Sequence, residues 1–392
     1  MSGTASVPAA AAPRYAVPLS RRRAIAVWAL VGAASLLLLV SALTVWVKRQ
    51  ALNTDAWTHA SGQLLADDEI RGALSIYLVN TLYTNVDVTG RIEQALPPER
   101  SNLAPVISGA LREFSERAAN QLLASPRVQA LWEELNRRVH ENLIAVLNEE
   151  DVRRFTNIDG AVVLDLRPQV ERLGARLGVS DRLPPDAGEI TILESNELDA
   201  AQKGFKAIKA LTIFLVLVVF GLYALAIYLA RGHRRKVFRA MAASFVLVGV
   251  LLLLVRRLTG DWIVESLVAS DTVRPAGRSV WAIGTELLFD AGIALIAYGI
   301  VGLVGAWLAG PSETAVGLRG RLAPHFRDQA VETFAVVAFA YLLLILWGPT
   351  AATRQLLGIV LLGVVIMAGV AVLRRQTLAE FPATRVRSHG ES

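Results

Sequence analysis

Glu286 and Asp290 stand four residues apart inside one of the chain's apolar runs, which places them on one face of a helix. Ionised side chains are costly in hydrocarbon, and there they mark proton or cation pathways or sit in ion pairs. Depth separates these uses. Trp281 and Trp307 bracket the run 26 residues apart, about 39 Å of helix against about 30 Å of hydrocarbon. Counting about 20 residues outward from Trp307 reaches Leu287. Glu286 then lies at the outer rim and Asp290 one turn inside, in reach of Arg256 or Arg257 at the end of the preceding run. Glu286, Asp290 and Arg257 are the candidate ion site; an interfacial, ion-paired structural role is the competing reading.

Other chemistry is excluded residue by residue. The chain has no cysteine, which removes thiol nucleophiles, Cys-ligated zinc, iron–sulfur clusters and disulfides. His140-Glu141 begins like the helical zinc-protease signature, but the second histidine it needs is replaced by Ile144. His59, His233, His325 and His389 are scattered and build no metal triad. There is no P-loop and no dinucleotide fingerprint. Gly299, Gly302 and Gly305 fall inside an apolar run, where Gly302 with Ala306 and Gly305 with Ala309 supply small residues four apart for close helix approach. The sequence thus predicts no cofactor, no metal, no catalytic residue and no enzyme.

The elements that must position these residues follow from hydropathy. Of 392 residues, 54% are apolar and 19% charged, which rules out disordered and collagen-like classes. Six runs approach the roughly 20 residues a crossing needs: 24–47, 210–230, 240–255, 285–309, 331–348 and 356–373. The predicted fold class is an all-α polytopic membrane protein with six transmembrane helices and a mainly helical extracytoplasmic domain containing a minor two-stranded element. Trp28 and Trp46 bracket the first run, and its length past Val40-Ser41-Ala42 makes it an uncleaved anchor rather than a signal peptide. Arg21, Arg22 and Arg23 precede that run, and Arg231, Arg234, Arg235, Lys236 and Arg239 separate the second from the third, with no acid in either cluster. Arg319, Arg321 and Arg327, then Arg374 and Arg375, fall on the same side after even numbers of crossings. The positive-inside rule makes that side the cytoplasm, with the tails 1–23 and 374–392 both cytoplasmic. The outer loop 256–280 is mixed, with Arg256, Arg257, Arg274 and Arg278 against Asp261, Glu265 and Asp271. Its Trp262, Ile263, Leu267 and Val268 predict a short amphipathic helix on the outer surface or capping the domain.

Residues 48–205 form the domain outside. They carry 17 basic and 24 acidic side chains, a net −7, while the remainder carries 23 and 10, a net +13. Nucleic-acid binding by so acidic a domain is disfavoured. Asn53-Thr54-Asp55 and Asp67-Asp68-Glu69 predict helix starts. Ile70, Leu74, Tyr77, Leu78 and Leu82 form a stripe, and Val128, Leu131, Trp132, Leu135, Val139, Leu143, Val146 and Leu147 a broad apolar face. Ser125-Pro126 predicts a cap with proline in the first turn. Residues 161–166 and 189–193 predict strands around a helix over 168–177, and Asn196-Glu197 opens a helix running into the second apolar run.

Asn53-Thr54-Asp55 after an amino-terminal anchor, Ser125-Pro126-Arg127-Val128-Gln129-Ala130-Leu131-Trp132, the strand at 163–166 and Ala309-Gly310-Pro311-Ser312 together resemble an uncharacterised family of multi-pass integral membrane proteins of actinobacteria and related high-GC bacteria. The resemblance covers most of the chain, rests on structural motifs and implies localisation, not an activity. The expected protein is a multi-pass protein of the bacterial plasma membrane. It is non-enzymatic, in contact with the lipid bilayer, with an outer domain that binds a protein or cell-wall partner. The alternative is an ion- or proton-coupled transporter using Glu286 and Asp290.

Overall fold

The computed structural model describes residues 20–148, 162–165, 189–193, 195–268, 270–347 and 356–381. Among these the chain is almost entirely helical. Helix α1 spans Arg21–Leu52, α2 Thr54–Ala66, α3 Asp68–Asn85 and α4 Val88–Ala95. A 3-10 turn, Pro98–Leu103, leads into α5, Ala104–Leu123, and α6, Pro126–Leu147. Strands β1, Val162–Asp165, and β2, Glu189–Leu193, pair antiparallel with Asp165 opposite Glu189. The expected helix over 168–177 lies outside the described residues. Then come α7, Ser195–Leu229, α8, Arg234–Leu267, α9, Arg274–Gly284, α10, Glu286–Leu308, α11, Glu313–Asp328, α12, Ala330–Trp347, and α13, Leu356–Glu380.

Side-chain caps set several of these starts. Asn53 Oδ1 accepts from Ala56 N at 2.9 Å, and Asp67 Oδ1 from Glu69 N and Ile70 N at 3.0 and 3.1 Å. Ser125 occupies the residue before α6, but its hydroxyl turns back to the Leu122 carbonyl at 2.7 Å and leaves Pro126 to begin the helix. Gly232, at φ 85°, makes the tight turn between α7 and α8, a conformation open to a residue without Cβ.

Among the described residues four helices are long and apolar enough to cross a membrane: α1, the Asp199–Leu229 part of α7, α8 and α10. That is the signature of a membrane-embedded chain. The other two of the six expected crossings are not among these four: the fifth falls on α12, whose apolar stretch Ala330–Leu343 is shorter, and the sixth on α13, which does not qualify either. The region expected as an outer loop, 256–280, is instead mostly helical. No proline interrupts α8 after Val255, so it continues to Leu267, and Pro275 sits in the first turn of α9.

The chain divides into two compact units. In the first, Met1–Val40, Leu215–Leu251 and Asp290–Ser392, α1 and α7 meet through Val27, Val31 and Ala34 against Val219, Tyr223 and Ala226, all buried. The Tyr223 hydroxyl shares a 3.1 Å hydrogen bond with Ser35 Oγ there. Helices α8 and α10 touch backbone to backbone: a Cβ on Gly299 would lie 2.6 Å from the Ala242 carbonyl oxygen, and one on Gly249 2.6 Å from that of Gly292. Gly302 faces Ala242, but Gly305, expected to share this role, has open space around it. Beyond α10, Arg319 is 1% exposed. It donates to the carbonyls of Leu308 and Gly310 and binds Glu380 of α13 at 2.8 Å.

The second unit holds Ser41–Phe214 and Leu252–Phe289, so the segment after α8 is built into the domain. Helix α2 packs on α6, α3 on α5, and α9 on α2 and α3. The buried positions of α2 and α3 are Thr58, Ser61 and Leu65, then Arg71, Ser75 and Val79. This reverses the expected stripe of α3: Tyr77, Leu78 and Leu82 are exposed. Arg71 is the cause, because its guanidinium turns inward to the Leu65 and Ala66 carbonyls at the end of α2. On α6, likewise, Val146 and Leu147 are buried, whereas Leu131, Trp132 and Leu135 of the expected face are exposed.

Replacing Gly299 by leucine is expected to cost about 1–3 kcal/mol by overpacking the α8–α10 contact. Gly305→Leu should stay within about 0.5 kcal/mol. Thermal unfolding of the purified full chain in detergent reads the difference, and equal losses at the two positions would contradict the packing described.

Candidate functional site

The predicted carboxylates lie where α9 gives way to α10. Thr285 leaves the helical conformation between them, at φ −113° and ψ 15°, and its buried Oγ1 donates to the Trp281 carbonyl at 2.6 Å. That oxygen accepts from Arg256 Nε at 2.8 Å, and Arg256 Nη2 reaches the Ala282 carbonyl at 3.3 Å. The guanidinium also lies 5.2 Å from the centre of the Phe289 ring. Trp281 Nε1 donates to the Arg256 carbonyl at 3.1 Å, and its indole lies against Gly260, where a Cβ would come within 2.3 Å of that nitrogen. Arg256 is therefore held by neutral oxygens and an aromatic face, because Thr285 and Ala282 offer it the acceptors at the end of α9.

Glu286 is the first residue of α10 and exposed, where the positive end of the helix dipole favours a carboxylate. Among the described residues it forms no ion pair, and neither does the exposed Arg257. Asp290 lies one turn on, half-buried and partnered. No group of three or more His, Asp or Glu among the described residues could hold a metal ion.

Two features of the domain escape a reading of the sequence. His140, 2% exposed, ties α6 to the α1–α2 junction. Its Nε2 lies 3.1 Å from the Ala51 carbonyl and its Nδ1 3.0 Å from Thr54 Oγ1. A carbonyl only accepts, so Nε2 carries the proton and Nδ1 accepts from the threonine hydroxyl. The ring stacks on Trp57, centroids 5.2 Å apart. A hydroxyl on an imidazole is also the start of a nucleophile–base pair; here the buried ring joins α6 to the α1–α2 junction. Burial pulls the His140 pKa down, against the opposing pull of the Ala51 bond and Glu141.

The second feature is an open cleft of about 580 Å³ where α3, α4 and α5 meet, lined by Asn80, Tyr83, Thr84, Thr89, Ser108 and Arg112 among others. Thr89 and Ser108 share a 2.8 Å hydroxyl bond, and Arg112 donates to Asn80 Oδ1. Among the described residues the buried Tyr83 hydroxyl has no hydrogen-bond partner. Hydroxyls, an amide and a guanidinium suit polar recognition. These residues come from three helices and each reads, alone, as ordinary polar surface.

No protein family, curated protein or solved structure matches the chain.

The lowered pKa of His140 gives a signed prediction. The unfolded chain binds the proton near the ordinary value of about 6.5 more readily than the folded one. Stability is therefore complete above that pH and is lost as pH falls through the lower folded value. Thermal unfolding at pH 7.5 and pH 5 should show a drop in the parent chain that is smaller in His140→Gln. An undiminished drop in the variant would assign the loss to other groups.

Proposed function

We propose that the chain is a six-span protein of the bacterial plasma membrane, with both termini cytoplasmic, whose 48–205 domain is a non-enzymatic binding module for an extracytoplasmic protein. In this reading α12 and α13 supply the fifth and sixth crossings. The acid-free basic clusters at 21–23 and 231–239 lie on the cytoplasmic side.

One observation carries the binding role: α5 turns its large apolar side chains outward. Val106, Phe114 and Leu122 are 70%, 62% and 63% exposed, and Leu103, Ile107 and Leu111 are exposed beside them. At helical spacing these residues fall on one arc. Exposed apolar patches of this kind mark interaction sites. On the same helix Arg112 pairs with Glu116 at 3.3 Å and Arg117 with Glu113 at 3.5 Å, so ion-paired side chains accompany the apolar arc. The domain's net charge of −7 opposes docking on an anionic lipid surface and favours a protein as the covering partner.

A photo-reactive amino acid placed at Val106 or Phe114 and irradiated in intact cells is expected to give discrete adducts, and one at Glu133 on α6 few or none. Adducts equally frequent at all three positions, or absent from all, would remove the basis of this reading.

Ion- or proton-coupled transport through Glu286 and Asp290 is the less supported alternative, since Glu286 is exposed in the first turn of α10. Glu286→Gln combined with Asp290→Asn is expected to leave ion flux into reconstituted vesicles unchanged. A several-fold loss of a flux that the parent chain supports would instead establish transport.

A further inference from the structure

The apolar run of α1 ends at Val47 and is followed at once by Lys48 and Arg49, while that of α7 begins at Ala210, directly after Lys209. These cations occupy the level at which hydrocarbon gives way to headgroups. In the structure they come together. Lys48, Arg49 and Lys209 line one cleft of about 170 Å³, with Asn53 and Asn148 as its polar wall and Phe205 as part of its apolar floor. Lys209 Nζ donates to Asn148 Oδ1 at 3.0 Å and stands 4.8 Å from the centre of the Phe205 ring. Among the described residues no carboxylate lines the cleft, and none of the three cations is in an ion pair. Three positive charges around a small space repel one another until an anion enters, which sets this cleft apart within a domain of net charge −7.

We propose that this cleft binds the phosphate of an anionic phospholipid headgroup from the outer leaflet. Two lysines and an arginine give charge-assisted hydrogen bonds to phosphate oxygens, the two asparagine amides can supply further donors, and Phe205 offers a surface to the glycerol. The size suits a single phosphate group rather than a nucleotide. The inference rests on the proposed orientation, with residues 48–205 on the outer side, and is independent of any protein that covers α5.

The test uses the full chain, delipidated in a neutral detergent and titrated with short-chain phosphatidylglycerol, short-chain phosphatidylcholine or inorganic phosphate, with bound lipid counted by native mass spectrometry. Phosphatidylglycerol is expected to bind about tenfold more tightly than phosphatidylcholine, and inorganic phosphate more weakly than either. Lys48→Gln/Arg49→Gln/Lys209→Gln should lose about tenfold in phosphatidylglycerol affinity, while the control Arg127→Gln/Arg138→Gln/Lys203→Gln, with equal charge removed elsewhere in the domain, should not. On the parent chain, without any variant, retention should fall as salt is raised to 0.5 M. Equal losses in the two triple variants, equal binding of the two lipids, or retention indifferent to salt would each overturn the proposal. Inorganic phosphate binding as tightly as phosphatidylglycerol would overturn the lipid assignment, leaving a free-anion site.

Discussion

Every helix leaves its last carbonyls without an intrahelical partner, and in this protein arginine answers that need again and again. Arg71 reaches the Leu65 and Ala66 carbonyls at the end of α2. Arg256 reaches Ala282 near the end of α9. The end of α10 receives Arg235 at Ala306, and Arg319 at Leu308 and at Gly310 just beyond. Arg374 closes the end of α11 at Phe326, and Arg327 reaches Phe381 just past α13. A guanidinium suits this work because its planar fork spans two acceptors, and its charge meets the negative end of the helix dipole. With helices joined by short turns, these contacts fix where one element stops and which neighbour it faces.

The same interaction explains the polar core of the domain. Once Arg71 points inward to cap α2, its neighbours at helical spacing, Ser75 and Val79, must line the buried side of α3. Tyr77, Leu78 and Leu82 are then turned outward. Small and hydroxylated residues at Thr58, Ser61, Ser75 and Ser108 let the helices approach closely, and two of the hydroxyls find local acceptors, Ser61 at the Thr58 carbonyl, 2.9 Å away, and Ser75 at the Arg71 carbonyl, 2.7 Å away.

This also marks what the sequence discloses. The long apolar runs are legible because hydrocarbon imposes a length, and the starts at Asn53 and Asp67 because a cap is a local interaction between residues two or three apart. The inward turn of Arg71 is not legible: periodicity assigns the core to the most apolar stripe and has no means of weighing an orphan carbonyl on another helix. Arg256 shows the same limit at the predicted ion site. The spacing of Glu286 and Asp290 and their place at the rim can be counted from Trp307, but the partner of the nearby guanidinium depends on Thr285 and Phe289, which carry no charge to announce it. His140 likewise reads as half of a failed zinc motif until Ala51 and Thr54 are brought to its two nitrogens.

Exposure of a large apolar side chain has opposite meanings on the two kinds of helix. On α7 and α8, Phe214, Leu217, Phe220 and Leu247 are exposed within charge-free runs of 21 and 16 residues, a composition that a hydrocarbon surrounding accepts. On α5, Val106, Phe114 and Leu122 are as exposed, but Arg112, Glu113, Glu116 and Arg117 interrupt the same 20 residues. Burying that helix in hydrocarbon would carry four charges with it, whereas leaving it in water keeps a continuous apolar arc wet. A helix face that is both apolar and interrupted by charges is matched neither to hydrocarbon nor to water alone.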